Sequence, residues 1–223
     1  MPHPRLLDRP AIVAATIEVL DERGLDKVSL HAVAARLGVR QPALYHHFRD
    51  KAEILAAVAD EVLDRWHTDR LPRDGERWDE FLDRNARSLR RAMLSVRDGA
   101  RLLAMAGSRS PNVSNAVAQV RFLERHGFSG PNAILAFIAV SRYTIGCGLE
   151  QQTARDGAAI VVPTRTTEPG ATEPGATEPG ATEPGATHLA ALAAQVTALG
   201  SDHEFDVGLA ALIRGLEAVS ESP

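Results

Sequence analysis

The feature that most constrains this chain is the segment SLHAVAARLGVRQPALYHHFRDK at residues 29–51, which predicts two short helices joined by a tight turn. The first helix begins after Ser29, because serine caps helix N-termini well, and ends at Gly38, because glycine is favoured just beyond a helix. The second begins near Gln41, since Pro42 is well tolerated in the first turn of a helix. The segment therefore predicts a helix-turn-helix.

The second of these helices is amphipathic. Leu44 and Phe48 are four residues apart, so they share the face directed at the core. The outward surface carries amide, methyl, phenol and imidazole groups, which can contact base edges and phosphates when a helix enters the major groove. These groups belong to Gln41, Ala43, Tyr45, His46 and His47. DNA is therefore the first partner that the sequence predicts; the alternative is an ordinary helical hairpin with a solvated polar face.

Helices are also predicted on both sides of this segment. Asp8 and Pro10 open one helix and Gly24 closes it, with apolar residues at helical spacing between them. Another helix begins at Lys51 and keeps helical spacing toward Trp66. The first three helices together can bury a small shared core.

The order of these residues resembles the DNA-binding domain of TetR-type transcriptional regulators. The matching residues are Gly24, Ser29, Leu37, Gly38, Pro42, Leu44, Tyr45, Phe48 and Lys51. Later segments resemble the tetracycline repressor subfamily; they lie at residues 81–100, 119–129, 148–152 and 208–217. The resemblance implies an all-α fold, with a three-helix helix-turn-helix DNA-binding domain in residues 1–51 and a helical ligand-binding and dimerisation domain in residues 52–223.

The resemblance also implies a set of operator contacts. The positions that match operator contacts are Gln41, Pro42, Tyr45 and His47, with Lys51 on a phosphate. Four positions depart from the family pattern: Leu30 replaces a threonine, His31 an arginine, Ala43 a threonine and His46 a tryptophan. The arginine missing at His31 would have gripped guanine with two hydrogen bonds. We therefore expect an operator other than the tet operator.

A ligand pocket is implied in the second domain, because the tetracycline repressor binds its drug as a magnesium chelate. His67 and Asn85 match residues that hydrogen-bond the drug's polar edge, and Gln119 lies beside them. Glu150 matches a residue that acts on the metal's water shell from the neighbouring subunit. Each also has an ordinary interpretation: His67 as a half-buried surface histidine, Asn85 as a solvated amide, and Glu150 as part of a helix terminus.

The metal part of this pocket departs from the family pattern. Leu103 occupies the place of the histidine that ligates magnesium. The segment Ala106, Gly107 and Ser108 stands where the family has Thr-Arg-Pro, and Arg109 approaches that position only if the loop slips. Magnesium prefers oxygen ligands and keeps its waters, so the absence of one imidazole does not strictly exclude it. We expect no required cofactor: magnesium is implied only with a tetracycline-like ligand, and Leu103 argues against it.

The predicted function is a ligand-responsive repressor that binds a palindromic operator as a homodimer. Its cavity is larger and more apolar if four side chains face inward: Leu89, Leu103, Met105 and Ile145. Such a cavity favours a hydrophobic drug-like inducer, tetracycline-like or another polyketide. The alternative is a DNA-binding regulator without a small-molecule inducer, controlled by a protein partner or by abundance. An enzyme is disfavoured, because the sequence shows no phosphate loop, metal-spaced His/Cys cluster or nucleophile elbow.

Composition agrees with a regulator in the cytoplasm. The single Cys147 excludes an internal disulfide and fits a reducing compartment. No apolar run approaches the roughly 20 residues that would span a bilayer, and the N-terminus lacks an apolar signal segment, so we expect no membrane contact. The net charge of -4 argues against DNA, but residues 1–51 hold eight Arg or Lys against six Asp or Glu. The acidic excess therefore belongs to the C-terminal part.

One segment breaks the helical pattern. Residues 167–186 are four consecutive copies of TEPGA, in which proline every five residues forbids regular helix and no large apolar side chain can be buried. We expect a flexible loop over about residues 155–187, with a recognition tract for another protein as the alternative. Helix should resume at His188 and continue from about Asp202.

The last predicted helix carries an apolar stripe that has two interpretations. The stripe comprises Val207, Leu209, Leu212, Ile213 and Leu216. It forms either core within one chain or a subunit interface. The resemblance favours the interface, because in the tetracycline repressor the corresponding helices join those of the other subunit in a four-helix bundle. A two-fold dimer would place two reading heads along the DNA and so read a palindrome.

Overall fold

The computed structural model of the protein describes residues 7–106, 112–155 and 184–220, and every regular element in these ranges is helical. The helices are α1 (Arg9–Arg23), α2 (Leu30–Leu37), α3 (Lys51–Trp66), α4 (Trp78–Leu94), α5 (Gly99–Ala106), α6 (Val113–Arg125), α7 (Gly130–Arg155) and α8 (Pro184–Ser220). Two 3₁₀ helices also occur, Leu25–Lys27 and the recognition helix Gln41–His46. We call α1, α2 and the recognition helix the head. The all-α prediction is confirmed.

Two predictions concern residues outside the described ranges: most of the loop at about 155–187, and the placement of Gly107, Ser108 and Arg109. The predicted resumption of helix at His188 is too late, because α8 begins at Pro184. Proline is tolerated there because the first turn of a helix does not need its N–H. Gly200 has φ 81° and ψ 157°, and this break divides α8 into the two helical parts that the sequence predicts.

The first helices begin and end at the predicted caps. The Asp8 carboxylate accepts the Ala11 N–H at 2.8 Å, and the Ser29 hydroxyl accepts the Ala32 N–H at 3.1 Å. Gly38 ends α2 in the left-handed conformation, with φ 68°. These contacts satisfy backbone groups that a helix leaves unpaired at its ends.

The recognition helix is wound more tightly than expected. The Ala43 N–H donates to the Arg40 carbonyl and the His47 N–H to the Leu44 carbonyl, each at 3.0 Å, which is the 3₁₀ pattern. Leu44 and Phe48 are nevertheless buried, with 0% and 2% of their surface exposed. The inward face was therefore predicted correctly, while the type of helix was not.

Two apolar clusters hold the helices together. The first contains Ile12 of the head, Ile54 of α3 and Met93 of α4. The second lies among α4, α6, α7 and α8, where the rings of Phe81 and Phe122 meet edge to face at 5.2 Å. The first cluster includes residues of the head, of α3, and of α4 and α5. Helix α3, which we call the connecting helix, is therefore packed against the head and also against the helices that follow it.

Helix α7 is long and apolar. By length and composition it is the one described helix that could cross a membrane. Arg142 interrupts its apolar residues. Ala136 and Val140 pack in the second cluster, while Ile134 and Leu135 are 50% and 57% exposed. One face of α7 thus belongs to the core, and another is apolar and uncovered within the described chain.

Helix α8 places most of its apolar stripe in the core. Leu209 and Ile213 are buried in the second cluster, whereas Val207 is 56% exposed. Tyr143 of α7 lies so near that a Cβ added at Gly208 would overlap its hydroxyl group. The stripe is therefore chiefly intramolecular, which corrects the preference for an interface along its whole length.

Gly99→Ala should destabilise the protein by about 1–3 kcal/mol, because overpacking a close backbone contact forces the chain to shift. The added Cβ would overlap the Met93 carbonyl oxygen and lie 2.9 Å from Val96 Cγ2. Gly146→Ala is the matched control: its Cβ would meet nothing within 4 Å, so the better helix propensity of alanine should add up to about 1 kcal/mol. Urea unfolding measures both, and equal effects would contradict the close packing at Gly99.

Candidate functional site

The recognition helix presents the predicted polar surface to solvent. Tyr45 is 51% exposed, and its hydroxyl accepts a hydrogen bond from Gln41 Nε2 at 3.4 Å. The other predicted DNA contacts are either exposed, as are His31, Pro42 and His46, or partly exposed, as are Ala43, His47 and Lys51. The structure thus leaves these side chains at least partly exposed and joins two of them, Gln41 and Tyr45, by a hydrogen bond.

This surface is supported by an arginine that the sequence pattern did not single out. The guanidinium of Arg9 lies 3.9 Å from the Phe48 ring centroid and donates to the His47 carbonyl. It also pairs with Glu53 at 3.1 Å. A backbone hydrogen bond from Arg49, opposed by burial, helps to hold the pKa of Glu53 below its ordinary value, so this carboxylate remains a negative anchor. The end of the recognition helix is therefore fixed to both α1 and α3.

A second contact joins the head to the helices behind it. Asp98 is buried and has φ 54°, and its Oδ2 accepts the Leu25 N–H at 2.7 Å. The Arg97 N–H donates to Asp21 Oδ1 at 2.8 Å, and Arg101 pairs with Asp26 at 2.8 Å. The loop before α5 therefore holds the end of α1, independently of the connecting helix α3.

At the other end of α3, His67 is buried in the predicted ligand region. Only 7% of its surface is exposed, and its Nδ1 atom has no hydrogen-bond partner among the described residues. Burial, assisted by the positive charge of Arg70, lowers the pKa of His67 from 6.5 to about 4. The imidazole is therefore neutral near pH 7. The interpretation as a half-buried surface histidine is wrong.

The two predicted pocket amides contact the segment that follows His67. Asn85 Nδ2 donates to the Asp69 carbonyl at 3.2 Å, and Gln119 Nε2 donates to the Arg70 carbonyl at 2.7 Å. Asn85 is only 6% exposed, so it is not a solvated helix residue. The Ser88 hydroxyl accepts the Asp69 N–H at 3.2 Å. Residues 67–71, which we call the 67–71 segment, are thus tied to α4 and α6.

Charged side chains surround the outer side of this segment. Asp69 pairs with Arg84 at 2.9 Å, with Arg73 at 2.8 Å and with Arg91 at 3.0 Å. Burial opposes ionisation of Asp69, but the hydrogen bond from Arg84 and the neighbouring charges bring its pKa below the ordinary value. A polar cleft of about 460 Å³ opens beside these groups. Its lining is mixed in charge, in contrast to the apolar cavity expected from the sequence.

The remaining pocket residues are divided between interior and surface. Leu103 is buried and Leu89 partly buried, both in or against the first cluster. Met105 is 60% exposed, so the inward orientation that a larger apolar cavity would require is not found for this side chain. Glu150 is exposed on α7. The described residues contain no group of three or more His, Cys, Asp or Glu arranged for a metal.

Acid should destabilise the folded protein through His67. The unfolded imidazole takes up a proton below pH 6.5, while the folded one resists until about pH 4, so stability falls as the pH drops between these values. From pH 7 to pH 5 this one residue should cost about 2 kcal/mol. Urea unfolding of His67→Gln should show a correspondingly weaker pH dependence. His46→Gln controls for removing an imidazole; an unchanged slope in His67→Gln would refute the assignment.

Comparison with known proteins covers both parts of the molecule. The family model described as "Bacterial regulatory proteins, tetR family" matches residues 12–58. The model described as "Tetracyclin repressor-like, C-terminal domain" matches residues 71–220. The tetracycline repressor protein class C of Escherichia coli is 39% identical over 211 residues, which cover 95% of this chain and 91% of that relative.

Solved structures give the same result at the level of the fold. TetR from Acinetobacter baumannii AYE matches with a TM-score of 0.76 at 37% identity, covering 97% of this chain and 100% of that one. TetR of class A in complex with 5a,6-anhydrotetracycline and magnesium matches with a TM-score of 0.69 at 32% identity, covering 95% and 99%. The similarity therefore runs from the head through α8.

Proposed function

The chain belongs to the tetR family of bacterial regulatory proteins, with a tetracycline repressor-like C-terminal domain, and on this premise we propose how it represses transcription. It binds a palindromic operator in the cytoplasm as a homodimer, and it leaves the operator when a hydrophobic, antibiotic-like inducer binds behind the head. The observation that carries the proposal is the 67–71 segment: it directly follows the connecting helix and is held by the side chains expected to meet the ligand.

Operator binding is proposed from the exposed surface of the recognition helix. Gln41 and Tyr45 form its centre, because their mutual hydrogen bond orients both side chains before DNA arrives. The other proposed contacts are His31, Pro42, Ala43, His46, His47 and Lys51. Phenol, amide and imidazole groups suit base edges, and Lys51 suits a phosphate.

A homodimer is proposed from apolar side chains that one chain leaves uncovered. The first part of α8 exposes a stripe at helical spacing, formed by Leu189, Leu192, Val196 and Leu199 at 62%, 42%, 48% and 58% exposure. Ile134 and Leu135 on α7 are similarly exposed. Contiguous apolar surface of this kind typically marks a protein interface. A second copy of the chain covers it with two-fold symmetry and also supplies the second head that a palindrome requires.

The proposed inducer is a polyketide held without dependence on a metal. The similar class A repressor is in complex with 5a,6-anhydrotetracycline and magnesium. In this chain Leu103 stands in the place that the resemblance gives to a magnesium-ligating histidine, and its buried alkyl side chain has no lone pair for a metal. Glu150 alone does not complete a site, so the residues present do not fit the ion. Neutral His67, Asn85, Gln119 and apolar Leu89 and Leu103 remain as ligand contacts.

Induction follows from linkage between this pocket and the head. A ligand that accepts hydrogen bonds from Asn85 and Gln119 competes with the carbonyls of Asp69 and Arg70. Releasing the 67–71 segment frees the C-terminal end of α3, whose N-terminal end carries the head. A ligand that prefers the released conformation weakens operator binding by the same coupling energy, typically about 1–3 kcal/mol.

One observation favours a second candidate. Because both pocket amides already donate to the chain's own carbonyls, they are also explained as structural ties that need no ligand. In that case the protein is a DNA-binding regulator without a small-molecule inducer, controlled by a protein partner or by abundance.

Fluorescence anisotropy of a labelled operator duplex tests these proposals. The duplex is selected from the DNA flanking the gene, bound by the protein and then titrated with tetracycline, with and without magnesium, and with a panel of apolar polyketides. Release by a polyketide without magnesium supports the proposed inducer class. Release only with magnesium would contradict metal independence. Intact binding without release by any compound would favour the second candidate, and no sequence-specific binding would refute operator recognition.

A further inference from the structure

The turn before the recognition helix carries an arginine that the operator contacts described above do not use. Arg40 is exposed, and among the described residues its side chain makes no hydrogen bond or ion pair. The arginines nearby are engaged: Arg9 and Arg49 pair with Glu53, and Arg36 pairs with two glutamates of α1. Within the part of the head that the structure describes, Arg40 is therefore the arginine beside the recognition helix whose guanidinium has no hydrogen bond or ion pair.

The backbone beneath this side chain is fixed. The Arg40 carbonyl accepts the Ala43 N–H at 3.0 Å, and the preceding Val39 N–H donates to the Ala34 carbonyl at 3.0 Å. Gly38 closes α2 just before them. The Cα of Arg40 thus has a set position, while its guanidinium remains available. Because the backbone is already fixed, a contact made by Arg40 requires ordering of only its side chain, which limits the entropy cost of binding.

The operator contacts proposed above include no arginine, the residue type that binds guanine through a planar pair of hydrogen bonds. His31 occupies the position where the family pattern has an arginine, and an imidazole does not reproduce the planar fork that binds guanine O6 and N7 together. Arg40 supplies that fork immediately before Gln41. In helix-turn-helix proteins the N-terminal residues of the recognition helix are those that contact base edges.

We propose that Arg40 reads a guanine in each operator half-site and so supplies the guanidinium that His31 does not provide. The inference rests on the proposed function, because it requires the head to enter the major groove. A base rather than a phosphate is the target, because Arg40 directly precedes Gln41 at the N-terminal end of the recognition helix, where helix-turn-helix proteins contact base edges.

Selection of operators from a randomised duplex pool tests this assignment in the full-length protein. The variants are Arg40→Ala and Arg40→Lys, with Arg23→Ala as a control that removes an exposed arginine at the far end of α1, next to the contacts with Arg97. The wild-type protein and the control should select a guanine at one fixed position of each half-site. Arg40→Ala should abolish that preference alone and weaken binding to the wild-type operator by roughly 5- to 150-fold per half-site.

Arg40→Lys should weaken the guanine preference without abolishing it, since lysine keeps the charge and can donate to O6 and N7 but lacks the planar fork, while the dependence of binding on salt stays close to wild type. The proposal is overturned if Arg40→Ala keeps the same preferences and weakens binding equally on all sequences, which is the behaviour of a phosphate contact. It is also overturned if Arg40→Ala binds like the wild type. Failure of the wild-type protein to select any sequence would instead refute operator recognition itself, so the two failures are distinguishable.

Discussion

Tyr45→Ala is expected to weaken operator binding by roughly 100-fold or more, because the substitution removes a central base-edge interaction from both heads and each such interaction contributes about 1–3 kcal/mol. The side chain is half exposed, and its one side-chain hydrogen bond among the described residues comes from Gln41, so the fold should change little. Inducer affinity should also be unchanged, since the 67–71 segment lies at the opposite end of α3.

The measurement is anisotropy with the selected operator, combined with thermal unfolding of the same preparation. Tyr45→Phe is the matched control: it keeps the ring and removes the hydroxyl that accepts from Gln41, so it should fall between the wild type and alanine. Operator binding by Tyr45→Ala within about threefold of wild type would remove Tyr45 from the reading surface. A lowered unfolding temperature would instead mean that the residue supports the head.

The local parts of this structure are those that the sequence predicts well. Asp8, Ser29 and Gly38 act as caps within a few residues of their own positions, and such short-range hydrogen bonds depend on little else. The burial of Leu44 and Phe48 follows from their spacing. That four-residue spacing suits an α-helix, and the Phe48 N–H does donate to the Leu44 carbonyl at 3.0 Å in the α pattern. It carries no sign of the tighter 3₁₀ winding over Gln41–His46, so this winding was not predicted.

The candidate pocket depends on contacts between distant parts of the chain, and these are where prediction fails. Asn85 and Gln119 were placed in a pocket by resemblance, but their bonds to the carbonyls of Asp69 and Arg70 join residues 16 and 49 positions apart. No local pattern specifies such a pair. A larger apolar cavity required Met105 to face inward, yet apolar residues occur commonly on protein surfaces, and here it is 60% exposed.

The same dependence on distant contacts explains why the sequence did not show what packs on the apolar helices α7 and α8. Both α7 and the last part of α8 have more apolar surface than one neighbour can cover, so periodicity identifies an amphipathic face without saying what packs on it. In α8 most of the stripe belongs to the chain's own core, whereas Ile134 and Leu135 of α7 remain uncovered within the described chain. Whether such a face is buried in the chain's own core or left exposed is decided by tertiary packing.

Asn85→Ala and Gln119→Ala are expected to lower inducer affinity by roughly 10- to 100-fold each. Operator binding should fall much less, because the other side-chain hydrogen bonds to the 67–71 segment remain in each variant. Each substitution removes an amide donor that the proposed ligand would engage; Asn85 is buried and Gln119 partly exposed. Each also frees one carbonyl of the 67–71 segment, so hydrogen exchange at the Asp69 amide should become faster. Affinity is measured with the polyketide that releases operator in the anisotropy panel.

Ser88→Ala separates the two roles of these amides. The Ser88 hydroxyl accepts the Asp69 N–H at 3.2 Å, so its removal loosens the 67–71 segment without removing an amide from the pocket. If the amides bind the inducer directly, Ser88→Ala should leave inducer affinity nearly unchanged or raise it slightly, since less of the ligand's binding energy is needed to release the segment. If Ser88→Ala lowers affinity as much as Asn85→Ala does, the amides act only by holding the segment, and the second candidate function gains support.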